Sequence, residues 1–312
     1  MTLRFARLGD LPEVQQLYQE ARHAFRTCGL EDLPGLIQEG VAVVGETVLV
    51  PPRLWGFLGI QVEERPSTLP STTPTRAYLR AALLDLGHPP GRELPDLLRL
   101  ALARLAREET PVQVMAIASA GWLRYPLERA GFRPVDALRF YVHTRRDVPP
   151  ATGPATLRPA RQEDLRPLAL LDREAFAPLW HMGTEELAQL MVTGRVQVAE
   201  WQGELAGYTS LAFYQRENGG EREAQLVRLA VHPRFQGRGI GRQLLAESLR
   251  YAHSLEAFRV QLNTQESNRR SQQLYQAFGF RQVGGLVPVM IHMPGQPPPG
   301  IGPGARRLSG PI

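Results

Sequence analysis

The chain has 312 residues, 43% of them hydrophobic, and a formal net charge of +5. This length accommodates two domains of ordinary size, and no apolar run reaches the roughly 18 residues that a membrane-spanning helix needs. All basic residues are arginines, and they are scattered among acidic residues without forming a basic block, which argues against a nucleic-acid partner. The lone cysteine, Cys28, excludes an intrachain disulfide and fits a reducing, cytoplasmic location.

The first half of the chain predicts alternating strands and helices. Residues 3–7 alternate in polarity as a strand does, whereas Val14, Leu17 and Ala21 recur at helical spacing. Such alternation favours an α/β (α+β) domain built on a mixed sheet. Strands are expected at 3–7, 41–44, 54–62, 78–84, 112–118 and 138–142, and helices at 10–21, 94–107 and 122–130.

The second half follows a Pro-rich stretch, 147–156, which is typical of a linker. Its last strand is expected to be interrupted at Gly284-Gly285, and 218–220 reads Asn-Gly-Gly, a turn. Residues 294–312 are too rich in proline and glycine to pack and are expected to be a disordered tail. Strands are expected at 157–160, 196–201, 204–214, 223–231, 257–263 and 281–292, and helices at 164–176, from 184, at 241–254 and from 268.

An internal repeat relates the two halves. Residues 3–11 (LRFARLGDL) match residues 157–165 (LRPARQEDL), and residues 131–135 (GFRPV) match residues 279–283 (GFRQV). Two units of similar length therefore open and close alike. The predicted organisation is a first domain at 1–146, a linker at 147–156, a second domain at 157–293 and the tail at 294–312.

A glycine-rich turn joins the strand that ends at Val231 to the following helix. Its sequence, residues 236–241, is Gln-Gly-Arg-Gly-Ile-Gly. Glycines let the main chain approach a ligand closely, and a helix start leaves N–H groups unpaired, so this turn predicts an anion cradle suited to phosphate. The Lys-Ser/Thr of a Walker loop is missing, and the glycine spacing is not that of a dinucleotide fingerprint. An ordinary strand–helix turn is the alternative.

A second motif follows at residues 268–280, Asn-Arg-Arg-Ser-Gln-Gln-Leu-Tyr-Gln-Ala-Phe-Gly-Phe. Asn268 is placed to cap a helix whose Ser271 and Tyr275 lie on one face, and Gly279 is placed to end it. Tyr275 is either a residue of the core or part of a site.

The two motifs, Gln-x-x-Gly-x-Gly and N-x-x-[A/S]-x-x-L-Y-x-x-x-G-F, resemble the acyl-CoA loop and the following helix of the GNAT superfamily of N-acetyltransferases. The likeness covers roughly residues 155–293. It implies two tandem GNAT-like domains, each a mixed, mostly antiparallel sheet flanked by helices. It also implies acetyl-CoA as cosubstrate. No metal is expected, because the histidines, among them His232, His253 and His292, are isolated and lack a metal-ligand spacing. The cofactor-binding residues that it implies are Leu229, Ala230, Val231, Gln236, Gly237, Arg238, Gly239, Ile240, Gly241, Arg242, Asn263, Asn268, Ser271 and Tyr275.

The resemblance also implies catalytic roles. Tyr275 is expected to protonate the departing thiolate, and the strand before the loop is expected to bulge and splay from its neighbour. A family position for a carboxylate base falls on Gln225, which cannot accept a proton at neutral pH. Glu223, two residues earlier on the same strand face, is the candidate base, directly or through water; an exposed structural glutamate is the alternative.

The first half departs from the family pattern. Its counterpart of the loop, residues 88–91, reads His-Pro-Pro-Gly, and the prolines remove N–H donors. Leu127 stands opposite Tyr275. The first domain is therefore predicted to be a degenerate, non-catalytic copy, with a second weak CoA site as the alternative.

The predicted function is transfer of an acetyl group from acetyl-CoA to a primary amine by direct attack, with the second domain active. The acceptor would be a small molecule or a peptide amine; no membrane partner is expected, and a homodimer is compatible with the sequence. Two alternatives stay open: a non-catalytic CoA-binding module, and a mycothiol-synthase-like acetyltransferase, which the tandem layout and length alone suggest.

Overall fold

The computed structural model describes residues 1–63, 73–215 and 220–295. Most of the predicted turn at 218–220 and of the predicted tail at 294–312 lies outside these residues. No helix in the described part of the chain combines the length and apolar character needed to cross a bilayer. The first eleven elements are β1 Thr2–Phe5, α1 Leu11–Glu20, β2 His23–Arg26, α2 Leu33–Gln38, β3 Val41–Glu46, β4 Leu54–Val62, β5 Thr75–Leu84, α3 Pro90–Leu105, β6 Val112–Ile117, α4 Arg124–Arg129 and β7 Arg133–His143.

The remaining elements repeat this pattern of strands and helices. They are β8 Thr156–Pro159, α5 Leu165–Ala175, α6 Thr184–Thr193, β9 Gly194–Trp201, β10 Glu204–Gln215, β11 Arg222–Val231, α7 Ile240–Ser254, β12 Arg259–Gln265, α8 Arg269–Ala277 and β13 Arg281–His292. The chain forms two compact units, the first of Met1–Ala137 with the C-terminal residues from Val287, the second of Leu138–Leu286.

The first unit is a mixed sheet in the order β1-β3-β4-β5-β6-β13, with β2 paired to β5. Neighbouring strands are antiparallel except β5 and β6, which are parallel. Apolar side chains of α3 such as Leu94, Leu97 and Leu98 are fully buried against the sheet. The helix thus shows the spacing that the sequence predicts for residues 94–107.

The second unit has the same strand order, β8-β9-β10-β11-β12 followed by the part of β7 that begins at Leu138. Its single parallel pair among the described strands is β11 with β12. Buried residues of α7, among them Leu245 and Leu249, share a core with Tyr275 of α8. The predicted hairpin about Gln202-Gly203 joins β9 to β10.

The compact units differ from the contiguous boundaries expected at 1–146 and 157–293. Residues 138–143 of β7 pair with β12 in the second unit, and residues 289–292 of β13 pair with β6 in the first. The last strand of each half therefore completes the sheet of the other unit. A linear repeat does not encode this, because it records the order of strands along the chain and not which strands pair.

Three local predictions need correction. The sequence predicts neither the strand β2 nor the helix α2. The strand has four residues, His-Ala-Phe-Arg, and the helix has six, and both are too short to show a periodic pattern. The break expected at Gly284-Gly285 is absent, since β13 continues from Arg281 to His292 through both glycines.

Candidate functional site

Towards the end that leads into the glycine-rich turn, the pairing of β11 is irregular with both neighbouring strands. Against β10, Ser210 faces Arg228 while Leu211 faces Leu226, so Val227 is an extra residue of a β-bulge. The parallel register with β12 covers Glu223–Gln225 and does not extend to the end of β11. The bulge and the splay that the resemblance implies are therefore both present, and main-chain groups near the end of β11 are left for a ligand.

The segment between β11 and α7 presents main-chain N–H groups. The Nε2 of Gln236 donates to the Val231 carbonyl at 3.0 Å, which ties the turn back to the strand. Gly237 and Gly239 have φ of 81° and 84°, a left-handed conformation that glycine adopts without strain. Gly239 is the N-cap of α7 and offers no side chain, so the first N–H groups of the helix are left for an anion.

A cavity of about 400 Å³ runs along this edge and the turn. Arg242 and Arg270 bring positive charge to it, and Arg270 donates a hydrogen bond to the side-chain oxygen of Gln236. The lining comprises Leu229, Ala230 and Val231 of β11, the turn residues Phe235, Gln236, Gly237 and Gly239, Ile240, Gly241 and Arg242 of α7, Asn268, Arg270, Ser271 and Leu274 at α8, and Ala175 and Phe176 at the end of α5.

Most of the predicted cofactor-binding residues thus meet around one cavity, and three do not line it. The guanidinium of Arg238 lies 4.6 Å from the centre of the Trp201 ring. Asn263 is exposed on β12. Tyr275 is 5% exposed and is part of the core beneath α8.

The start of α8 has the geometry that its sequence predicts. The Asn268 side chain accepts a hydrogen bond from the Ser271 N–H at 3.1 Å, so Asn268 is the N-cap. Burial raises the pKa of the Tyr275 hydroxyl, and an interaction with the Ser271 side chain and the charge of Arg228 act in the opposite direction. The phenol is therefore protonated at neutral pH, next to a residue that lines the cavity, and its role as an acid stays a prediction.

Glu223 lies away from this cavity, at the opposite end of β11. Its carboxylate accepts from Gln261 Nε2 at 2.5 Å and lies 3.3 Å from Arg259 Nε. Leu229 is six residues further along the strand, roughly 20 Å at the rise of an extended chain. The structure does not bring Glu223 together with Tyr275 and the turn, because it begins the strand whose other end carries the site.

Several residues of the cavity wall are not among the cofactor-binding residues that the resemblance implies. Phe176 lines the cavity beside Arg228, a residue of β11 whose guanidinium pairs with Asp172 of α5. Asp172 and Arg228 are 56 positions apart, so no local motif could pair them. For Arg270 a signal existed, since it lies within the motif at 268–280, but its contact with Gln236 depends on the folded turn.

The corresponding place in the first unit is built differently. The β4–β5 register shifts so that Arg80 is the extra residue, and β5 pairs with β6 only over Thr75–Tyr78 among the described residues. Beyond this bulge, however, the free edge is taken by β2, which pairs with Ala81–Leu84. The main-chain groups that correspond to the end of β11 are therefore occupied by the chain itself.

The rest of the counterpart site is also altered. The helix α3 begins at Pro90 with Pro89 as its N-cap, so two of the main-chain positions at its start carry no N–H. Leu127, opposite Tyr275 in the repeat, is fully buried.

The comparisons with known proteins agree with this geometry. Residues 165–280 match the sequence profile of the Acetyltransferase (GNAT) family. A putative [ribosomal protein bS18]-alanine N-acetyltransferase of Bacillus subtilis is 27% identical over 134 residues, which is 42% of this chain and 83% of that protein. The N-alpha-acetyltransferase RimI of Mycobacterium tuberculosis is 35% identical over 82 residues, 26% of this chain and 49% of that protein.

Solved structures extend the likeness of fold to both units. A tandem GNAT protein from the clavulanic acid biosynthesis pathway superposes with a TM-score of 0.62 at 18% identity, over 95% of this chain and 100% of the other. A GCN5-related N-acetyltransferase from Sphaerobacter thermophilus gives a TM-score of 0.59 at 19% identity, over 94% and 95%. The fold is thus two tandem GNAT-like units.

Fold, motifs and relatives together define an acetyltransferase. Residues 165–280 in the second unit are a GNAT acetyltransferase domain, and the protein is, by class, an N-acetyltransferase.

Proposed function

We propose that this protein transfers an acetyl group from acetyl-CoA to a primary amine at the cavity of the second unit. The observation that carries the proposal is the continuity of this cavity, from the uncapped start of α7 to the unpaired edge of β11. A diphosphate and an extended amide-containing arm need these two kinds of main-chain surface, in this order.

The residues present fit acetyl-CoA on physical grounds. Gly237, Gly239, Ile240 and Gly241 line the cavity at the positive end of the α7 dipole, and Arg242 and Arg270 add charge of the right sign. Gly237 and Gly239 have no neighbouring atom within 3.5 Å of an added Cβ, so the space above the turn is open. Leu229–Val231 would hold the amide-bearing arm by main-chain hydrogen bonds.

The reaction that this site would support is direct acyl transfer. The amine nitrogen forms a bond to the thioester carbonyl carbon, the C–S bond breaks, the nitrogen loses a proton and the thiolate gains one. Main-chain N–H groups at the β11 bulge would stabilise the oxyanion, and Tyr275, kept protonated by burial, would give the proton to sulfur. We assign no base, because no carboxylate of the described residues lines the cavity.

The acceptor that we favour is the α-amine of a peptide. This choice rests on the curated relatives, one named for an alanine substrate of ribosomal protein bS18 and the other for N-alpha-acetylation. A small-molecule amine, including the cysteinyl amino sugar of mycothiol synthase, is the other acceptor class. A cytoplasmic location, which the lone Cys28 favours, is part of the proposal.

We further propose that only the second unit is active. In the first, β2 pairs with the strand edge that would hold the CoA arm, Pro89 and Pro90 replace N–H donors, and Leu127 stands where the acid would be. These three changes affect binding of the CoA arm, binding of the diphosphate and protonation of the thiolate, so no single compensating contact would restore the site.

The proposal is tested by thiol release from acetyl-CoA with a panel of amines, together with calorimetric titration. The panel contains hexapeptides that begin with each of several residues, spermidine and glucosamine. Turnover of any of them supports the proposal. If acetyl-CoA binds but no amine is acetylated, and if Tyr275→Phe changes neither binding nor thiol release, the non-catalytic CoA-binding module is favoured instead.

A Gly239→Ala variant tests the loop itself. The positive φ strains alanine by roughly 1–2 kcal/mol and a Cβ intrudes on the cradle, so we expect the Kd for acetyl-CoA to rise at least about tenfold. Gly203→Ala is the matched control, since Gly203 has φ of 79° in the β9–β10 turn and an added Cβ there also has no atom within 3.5 Å. An equal loss of affinity in both variants would mean that strain, not the cradle, is responsible.

A further inference from the structure

A buried ion pair lies next to the cavity wall in the second unit. Asp172 of α5 is fully buried and Arg228 of β11 is 9% exposed. Arg228 Nε and Nη2 donate to the two carboxylate oxygens at 2.8 and 2.7 Å. Tyr208 of β10, also fully buried, donates its hydroxyl to the same carboxylate at 2.5 Å.

This pair holds the segment 176–182, which connects α5 to α6, at three points. The guanidinium carbon of Arg228 lies 3.5 Å from the centre of the Phe176 ring. Its Nη2 donates to the Trp180 carbonyl at 2.5 Å. The Met182 N–H donates to Asp172 at 2.8 Å. One pair of charges thus fixes the start, the middle and the end of the segment.

The position of this segment along the cavity follows from chain order. The turn that would bind the diphosphate follows Val231, whereas Arg228 precedes Leu229, the first lining residue of β11. Phe176, stacked on Arg228, therefore lines the end of the cavity that lies away from the phosphate turn. That is the end toward which a bound thioester would point and from which the amine would arrive.

Stability alone is a weak reason for such a pair. Two charges removed from water lose much of their attraction to desolvation, and well-packed apolar residues of similar volume often serve as well. The geometric consequence is more specific, because the guanidinium fixes a ring and a carbonyl in directions that apolar contacts would not define.

We propose that the Asp172–Arg228 pair is a positioning device for the acceptor, and that it makes Phe176 a specificity-determining residue for the amine. The inference rests on the proposed function and refines it. The pair sets how the 176–182 segment lies against β11, and Phe176 then shapes the space next to the reacting nitrogen. Acetyl-CoA itself would be bound by the turn and by α8.

The test replaces the whole network rather than one partner, because a single unpaired charge could prevent folding. The variant Asp172→Leu/Tyr208→Phe/Arg228→Met keeps the volume and leaves no buried charge. Arg158→Met/Asp164→Asn/Glu200→Gln is the matched control: it replaces a second ion-pair network of the same unit, and none of the three residues lines the cavity.

Acetyl-CoA affinity is measured by calorimetry, and the KM is measured for a hexapeptide that begins with alanine. We expect the triple variant to bind acetyl-CoA within about twofold of wild type and to show a KM for the peptide at least about tenfold higher, while the control changes neither. Phe176→Leu should alter the ratio of kcat/KM between alanine- and leucine-initiated peptides. A folded triple variant with an unchanged peptide KM, or with acetyl-CoA binding lost in parallel, would overturn the inference.

A separate measurement distinguishes this inference from the proposed function. If wild type binds acetyl-CoA but acetylates no amine in the panel, the proposed function fails. Hydrogen exchange of the amides in 176–183 then decides the positioning role: faster exchange in the triple variant than in the control supports it, and equal exchange overturns it.

Discussion

At the scale of single residues, burial sets the protonation state of Tyr275, the proposed acid of the site. Tyr275 is 5% exposed, packs 5.7 Å from the Phe280 ring and 6.3 Å from the Tyr141 ring, and has its pKa raised by burial. A raised pKa keeps the phenol in its acid form well above neutral pH, which is the form that can protonate a leaving thiolate.

Tyr275→Phe should therefore lower kcat on the order of 10²-fold, the typical contribution of a positioned acid. Acetyl-CoA affinity should be unchanged, because the loop that would bind the cosubstrate is intact. Steady-state thiol release together with calorimetry measures both quantities. Tyr141→Phe removes a buried hydroxyl from the same core and serves as the control; a similar loss of kcat in both variants would assign Tyr275 to packing alone.

His143 gives a prediction about stability. Burial lowers its pKa to about 4, with the charges of His253 and Arg145 adding to this effect and that of Asp147 opposing it. The folded protein keeps the imidazole neutral, whereas the unfolded chain takes up a proton below about pH 6.5. The stability contribution is therefore complete above pH 6.5 and is lost as the pH falls toward 4.

From this shift we expect the free energy of unfolding to fall by about 2 kcal/mol between pH 7 and pH 5 through His143. His143→Phe, beside the Phe280 ring at 5.1 Å, should weaken this dependence. Urea denaturation of both proteins at the two pH values measures the difference. If the variant loses stability as steeply as wild type, the titrating group is not His143.

At the scale of elements, much of the architecture could be predicted and the pairing could not. The glycine-rich turn and the capped start of α8 follow from local chemistry, so the sequence predicts them. The strand β2 does not, because it forms by pairing with β5, a strand distant in sequence, and its own four residues carry no periodic pattern. For the same reason the pairing of Arg228 with Asp172 does not follow, and Glu223 lies near the start of β11, at the end remote from the cavity.

The strand β2 leads to a prediction about stoichiometry. Since it occupies the edge of β5 that corresponds to the end of β11, calorimetric titration should find one acetyl-CoA per chain. Gly239→Ala should weaken that binding, as argued above, without revealing a second site. A second isotherm that survives in the variant would place a site in the first unit.

At the scale of the whole molecule, the exchange of terminal strands means that neither half of the chain holds a complete sheet. Val289 and Met290 of β13 are fully buried in the first unit, where they pair with Ile117 and Ala116.

Truncation after residue 286 should therefore destabilise the first unit strongly, since β6 loses a neighbour and two buried side chains, each worth roughly 1.5–3 kcal/mol. We expect a new unfolding transition at lower temperature by calorimetry. Truncation after Gly295 keeps all of β13 and is the control. A single unchanged transition in the shorter protein would contradict the role of this strand.

The same strand sets a delay during synthesis. A ribosome adds about 5–20 residues per second, and the second unit spans Leu138–Leu286, so β6 waits roughly 7–30 s for its partner after its own unit has otherwise emerged. Throughout that interval its bare edge can pair with another nascent chain. Protection by a chaperone would matter most then, before the last strand leaves the exit tunnel.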